Sequence, residues 1–79
     1  MAKHKVCYFM LVRLFAILKE LQNERFPNST ALAVRFEVSA KTIQRDFDAL
    51  RYYFKAPIEY SAARRGFYLT NKGWRLEGE

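Results

Sequence analysis

The hydrophobic period along the chain is helical for most of its length and switches to alternation near the end. From residue 6 to about 24, Cys7, Met10, Leu11, Leu14, Ile17, Leu18 and Leu21 recur at three- and four-residue spacing, the stripe of an amphipathic helix. Tyr8, Val12 and Phe15 make a second apolar strip on another side of that helix. A helix that packs one face has no use for such a strip. Two readings stand: it lies beneath an N-terminal arm or the C-terminal tail, or it meets a second subunit or another domain. Pro27 breaks the helix, and Asn28 or Ser29 is placed to cap the next. That second helix is short, about residues 29–36, with Leu32, Ala33 and Phe36 facing inward. Ala33 is small where two helices must approach closely.

Val38 then plugs a turn, and Ser39 caps a third helix of about residues 40–55, its oxygen accepting the backbone N–H of Lys41 or Thr42. Ile43, Phe47, Leu50 and Phe54 form its narrow apolar arc. Ala56-Pro57 stops it, and the period becomes two. Ile58 and Tyr60 alternate on one arm, Phe67 and Leu69 on the other, with "SAARRG" between them. Pro57 suits the start of an edge strand, and Gly66 suits a positive φ. This hairpin spans about residues 57–70. The tail, 71–79, carries weak signals, and its Trp74 and Leu76 either fold back onto the core or belong to a linker. Helix, short helix, turn, longer helix, hairpin is a mainly α fold with a small β-hairpin, a three-helix winged helix-turn-helix.

Composition changes this picture little. The 79 residues suit one small domain with a modest core, and 51% apolar content is enough to fill it. Cys7 is the only cysteine, so no intrachain disulfide forms, and no second Cys or His stands at metal-ligand spacing. Cys7 falls on the apolar stripe and reads as a small buried hydrophobe; His4 reads as a solvated side chain. No apolar run is long enough to span a bilayer. The basic-then-apolar start resembles a signal peptide, but Arg13 interrupts the run and no small-residue cleavage site follows. A cytoplasmic, nucleoid-associated protein is expected, with no membrane partner.

Charge changes it more. Fourteen Lys and Arg stand against eight Asp and Glu, a formal +6 that favours a polyanionic partner. On a helical wheel Lys41, Gln44, Arg45, Asp48, Tyr52 and Lys55 lie opposite the apolar arc of the third helix. The bland reading of such a face is solvated charge; the short helix before it and the hairpin after it favour a DNA-reading helix. In that position the helix enters the major groove N-terminus first. Lys41 and Gln44 have side chains able to read base edges. Ser39, Thr42 and Arg45 are assigned to phosphates, beside the free N–H groups of the helix start. Arg64 and Arg65 at the hairpin tip are placed to clamp phosphates or straddle a minor groove, and Lys72 and Arg75 extend the basic surface. The tyrosines Tyr52, Tyr53, Tyr60 and Tyr68 read mostly as packing residues. Asp46, at the edge of the apolar arc, reads as structural, pairing a cation such as Arg13 or Arg35 or accepting backbone N–H groups. Asp48 is placed to repel wrong sites. No nucleophile–base set, Gly-rich phosphate loop or metal cluster is visible, and Glu20 with Glu24 reads as solvated charge. Neither an enzyme nor a cofactor is expected.

"LAVRFEVSAKTIQRDFDAL" closely resembles the LA-x-x-F-x-VS-x-[KR]-TI-x-RD-x-x-x-L signature of the winged helix-turn-helix domains that open DeoR-type and WYL-domain bacterial transcriptional regulators. Leu32, Ala33, Phe36, Val38, Ser39, Lys41, Thr42, Ile43, Arg45, Asp46 and Leu50 carry the match. "APIEY" with "RRGFYLT" is similar to the wing of the WYL branch, Phe67 standing where a Tyr is usual, and Arg13 fits the basic residue early in the first helix. The resemblance implies sequence-specific binding of double-stranded DNA in transcription regulation, and a homodimer is the common helix-turn-helix arrangement. Such regulators usually continue into a C-terminal effector-sensing domain; this sequence stops just beyond the wing, so that domain is expected outside it. The alternative is a winged-helix module that binds a protein or structured RNA.

Overall fold

Local side-chain chemistry sets the bounds of each element. In a computed structural model, which describes residues 2–75 and side chains from Tyr8 onward, the order is α1 (Ala2–Gln22), α2 (Ser29–Phe36), α3 (Ala40–Phe54), β1 (Ile58–Ser61) and β2 (Gly66–Leu69). Asn28, not Ser29, caps α2: its Oδ1 accepts the Ala31 N–H at 2.8 Å. Ser39 caps α3, its Oγ accepting the Thr42 N–H at 3.1 Å. Both helices end in a left-handed residue, Glu37 at φ 56° and Lys55 at φ 58°, which turns the backbone so that orphan carbonyls are met. Helix α1 starts at Ala2 rather than near residue 6 and ends at Gln22. Glu24 and Phe26 then take left-handed backbone, φ 55° and 51°, folding the chain back toward α2. The readings of His4, Cys7 and Leu76 fall outside the described residues.

The core is one cluster. Leu14, Ile17, Leu18 and Leu21 of α1 meet Leu32 and Ala33 of α2, Ile43, Phe47 and Leu50 of α3, and Ile58, Phe67 and Leu69 of the hairpin. Met10, Phe36, Val38 and Trp74 close its edges, so Trp74 does fold back. Burial of this kind contributes roughly 25 cal/mol per Å² of apolar surface. Three expected core residues lie outside it. Leu11 sits on the flank of the α1 stripe and joins the outer strip; Phe54 ends its helix at the rim; Tyr60 lies toward the hairpin tip, past the core's edge. Tyr60 still meets Phe67 edge-on at 5.1 Å, while Phe67 stacks on Phe47 at 4.0 Å.

The hairpin is antiparallel, with Ile58 opposite Leu69 and Ser61 opposite Gly66. Its positive φ falls on Arg65, at 55°, not on Gly66 as the sequence suggested. Gly66 is needed for a different reason: a Cβ there would overlap the Phe26 carbonyl. Next to it the Phe67 N–H donates to the Pro27 carbonyl at 2.8 Å. The wing is thereby pinned to the segment that leaves α1.

One polar contact crosses the helical layer. Arg13 of α1 donates to both oxygens of Asp46 of α3, at 2.6 and 3.1 Å. The Asp46 side chain is 1% exposed and that of Arg13 15%. The hydrogen bond to Asp46, partly opposed by burial and reinforced by the carboxylate's charge, holds the guanidinium above its ordinary pKa.

Two outcomes are expected in urea unfolding. Arg13→Ala strands a buried carboxylate and destabilises by about 3–5 kcal/mol, whereas Arg13→Met with Asp46→Leu recovers most of that loss; equal losses in the single and double variants would refute a paired charge. Gly66→Ala destabilises by about 1–3 kcal/mol through overlap with Phe26, and an unchanged midpoint would show that the wing is not held there.

Candidate nucleic-acid interface

The N-terminal half of α3 presents Lys41, Gln44 and Arg45 to solvent. Ser39 and Thr42 form the start of that surface, their hydroxyls 3.0 Å apart. The cap commits Ser39 Oγ to the Thr42 N–H, so the two hydroxyls act as a linked pair. Gln44 is tethered as well: its Nε2 donates to Ser29 Oγ at 2.6 Å. One N–H of the amide is engaged, which leaves the second N–H as a donor and the Gln44 carbonyl oxygen as an acceptor.

This tether marks a cleft of about 510 Å³ where three elements converge. Asn28, Ser29 and Thr30 come from the start of α2, Gln44 from α3, and Tyr60 and Arg65 from the wing. The first N–H groups of α2 add donors, because a helix start leaves them without intrahelical partners. An anion entering the cleft would meet hydroxyls, backbone N–H groups and a guanidinium together.

The seven residues singled out from the sequence are thus not one patch. Ser39, Lys41, Thr42, Gln44 and Arg45 share the start of α3, and Arg65 joins Gln44 across the cleft. Arg64 does not. Its guanidinium lies over the Phe26 ring at 4.7 Å, in a separate groove with Glu24, Tyr68, Lys72 and Arg75. Lys72 pairs there with Glu24 at 3.5 Å. The left-handed backbone at Arg65 sends the two neighbouring arginines to opposite sides of the wing. Arg45 stands on the α1 side of the helix, beside Asp48, Tyr52 and Tyr53. Asp48 accepts from Arg51 at 3.1 Å, which offsets its charge.

Ser29, Thr30 and Tyr60 were missed as surface residues. The "NST" run held a clue, since one of its three polar side chains suffices for a cap. Tyr52, Tyr53 and Tyr60 are exposed rather than packed: Tyr52 and Tyr53 rim an open groove with Met10 of α1, and Tyr60 lies toward the hairpin tip. Among the described residues, no cluster of three or more His, Cys, Asp or Glu is placed to hold a metal ion. No helix among them is long and apolar enough to cross a membrane.

A short helix, a turn, a second helix with a polar outer face and a β-hairpin beside it define a winged helix-turn-helix. The chain belongs to the HTH domain family, whose profile matches residues 13–68. That span runs from Arg13 of the buried pair to Tyr68 of the wing, so it takes in the whole α2–α3 unit. Neither the curated proteins nor the solved structures compared with the chain provide a match. Membership of this helix-turn-helix family points to DNA binding.

Proposed function

We propose that the chain is a sequence-specific, double-stranded-DNA-binding domain of a bacterial transcription regulator of the DeoR and WYL type. It acts in the cytoplasm as a homodimer, and an effector-sensing domain accompanies it in the complete regulator. The observation that carries this reading is the cleft in which Ser29, Gln44 and Arg65 converge beside the solvent-facing start of α3. Three chain segments there offer donors to one anion, as a phosphate backbone requires. Lys41 and Gln44 face base edges. Ser39, Thr42 and Arg45 hold phosphates along one strand. Arg65 closes on the strand from the wing, and Arg64, with Lys72 and Arg75, faces the backbone on the wing's far side.

Fluorescence anisotropy with a random duplex and a selected pool, at several salt concentrations, tests these roles. Each phosphate contact contributes roughly −0.9 to the log–log salt slope. Arg45→Ala weakens binding to every sequence and flattens the slope by roughly one unit. Lys41→Ala with Gln44→Ala removes the preference for the selected pool. A shallow slope and no duplex affinity at low salt would sink the proposal and favour a protein or structured-RNA partner.

The Gln44 tether yields a finer test. Ser29→Ala frees the amide to rotate, so discrimination at one base pair falls by up to the roughly 1–3 kcal/mol that a well-oriented contact supplies. Affinity for the random duplex stays nearly unchanged. Uniform weakening on all sequences would instead assign Ser29 to phosphate and Gln44 to a scaffold role.

A further inference from the structure

The groove on the far side of the wing holds more than cations. Its volume is about 470 Å³, within the range of small-molecule sites. Phe26 and Tyr68 form one wall, their rings 6.1 Å apart and tilted by 39°, above a floor of the buried Leu21 and Leu69. The Arg64 guanidinium lies over the Phe26 ring at 4.7 Å, and Arg64 is exposed, so a planar group can stack on its outer side. Lys72 and Arg75 complete the lining. A duplex backbone uses these cations but has no use for the aromatic wall. We propose that the groove binds a free nucleoside monophosphate, its base stacked against Arg64 and Tyr68 and its phosphate between Lys72 and Arg75.

The chemistry of the lining selects this ligand. Bases stack on aromatic rings and on guanidinium planes, and the wall offers both. Arg64, Lys72 and Arg75 stand against the single acid Glu24, an excess of two positive charges. That excess suits a phosphate monoester, which carries about −1.5 to −2 at pH 7. It suits a singly charged carboxylate or strand phosphodiester less well. Arg75 is held in place: its Nη1 donates to the carbonyls of Lys72 and Trp74 at 3.3 and 3.0 Å, and a guanidinium has further N–H donors for a phosphate. Lys72 meets Glu24 at 3.5 Å with both side chains largely exposed. So loose a surface pair contributes little, and Lys72 turns to a phosphate at small cost.

The inference does not depend on duplex binding, and its test uses no duplex. The isotope-labelled full chain is titrated with AMP in phosphate-free buffer at low salt and followed by NMR. Saturable shifts are expected at the Tyr68 and Lys72 amides and the Trp74 indole, and none at Ser29 or Gln44. Adenosine, which lacks the charge, and inorganic phosphate, which lacks the ring, each bind at least about tenfold more weakly than AMP. Arg64→Ala weakens AMP binding by about tenfold or more. Lys19→Gln, which removes the same charge from an exposed position outside the groove, leaves it nearly unchanged. No saturation at millimolar AMP would overturn the proposal. So would inorganic phosphate that binds as tightly as AMP, or equal losses in the two variants, since either reduces the groove to a charged surface. Shifts centred on Ser29 and Gln44 would place the ligand in the other cleft and overturn it as well. An oligoadenylate that binds more tightly per nucleotide than AMP would assign the groove to a strand in place of the free nucleotide.

Discussion

The two-bond contact between Arg13 and Asp46 sets which way α3 faces. An apolar contact between helices tolerates some rotation and sliding; a planar guanidinium on both oxygens of one carboxylate does not. Asp46 must face α1, so the helical rotation of about 100° per residue turns Arg45 and Gln44 outward. The pair is not an efficient source of stability, since desolvating two charges consumes much of their attraction. Its value is geometric. It fixes α3 about its own axis while Ile43, Phe47 and Leu50 supply the burial.

The wing depends on a second constraint of the same kind. Phe26 takes a left-handed backbone, uncommon for a bulky residue, and its carbonyl fills the space a side chain at Gly66 would need. The hydrogen bond from Phe67 to Pro27 and the stacking of Phe67 on Phe47 lock this arrangement to the core. Arg51 reaches across from α3 to the Ile58 carbonyl at 3.1 Å. Helix α3 and the wing are therefore held to one body from two sides.

Much of this was legible in the sequence because it is local. The period of Leu14, Ile17, Leu18 and Leu21, the caps at Asn28 and Ser39, and the alternation of Ile58 with Phe67 and Leu69 need only spacing and side-chain chemistry. Asp46 was legible by its misfit, an acid at the edge of an apolar arc. Its partner was not, because Arg13 and Arg35 both stood within plausible reach; Arg35 lies instead over the Phe36 ring at 5.1 Å. What stayed hidden is tertiary. The purpose of Gly66 lies in a residue forty positions earlier, the Gln44–Ser29 tether joins two helices, and the parting of Arg64 from Arg65 follows from one backbone angle. A glycine in a hairpin invites a turn explanation, and only packing shows that the positive φ falls on its neighbour.

The charges separate by role in a way net charge alone does not reveal. Asp46 is taken by Arg13, Asp48 by Arg51, and Glu24 by Lys72. Among the described residues Lys41, Arg45 and Arg65 make no ion pair. The two acids of α3 are thus spent on holding the scaffold, Asp46 toward α1 and Asp48 through the arginine that also grips the wing. An unpaired acid on α3 would subtract from the positive field of that helix start. Here each is neutralised by a cation that does not face the cleft, so the start of α3 keeps its positive field close to where free N–H groups already favour an anion. The +6 of the whole chain says less than this arrangement, in which both acids of α3 are paired while Lys41 and Arg45 of the same helix are not.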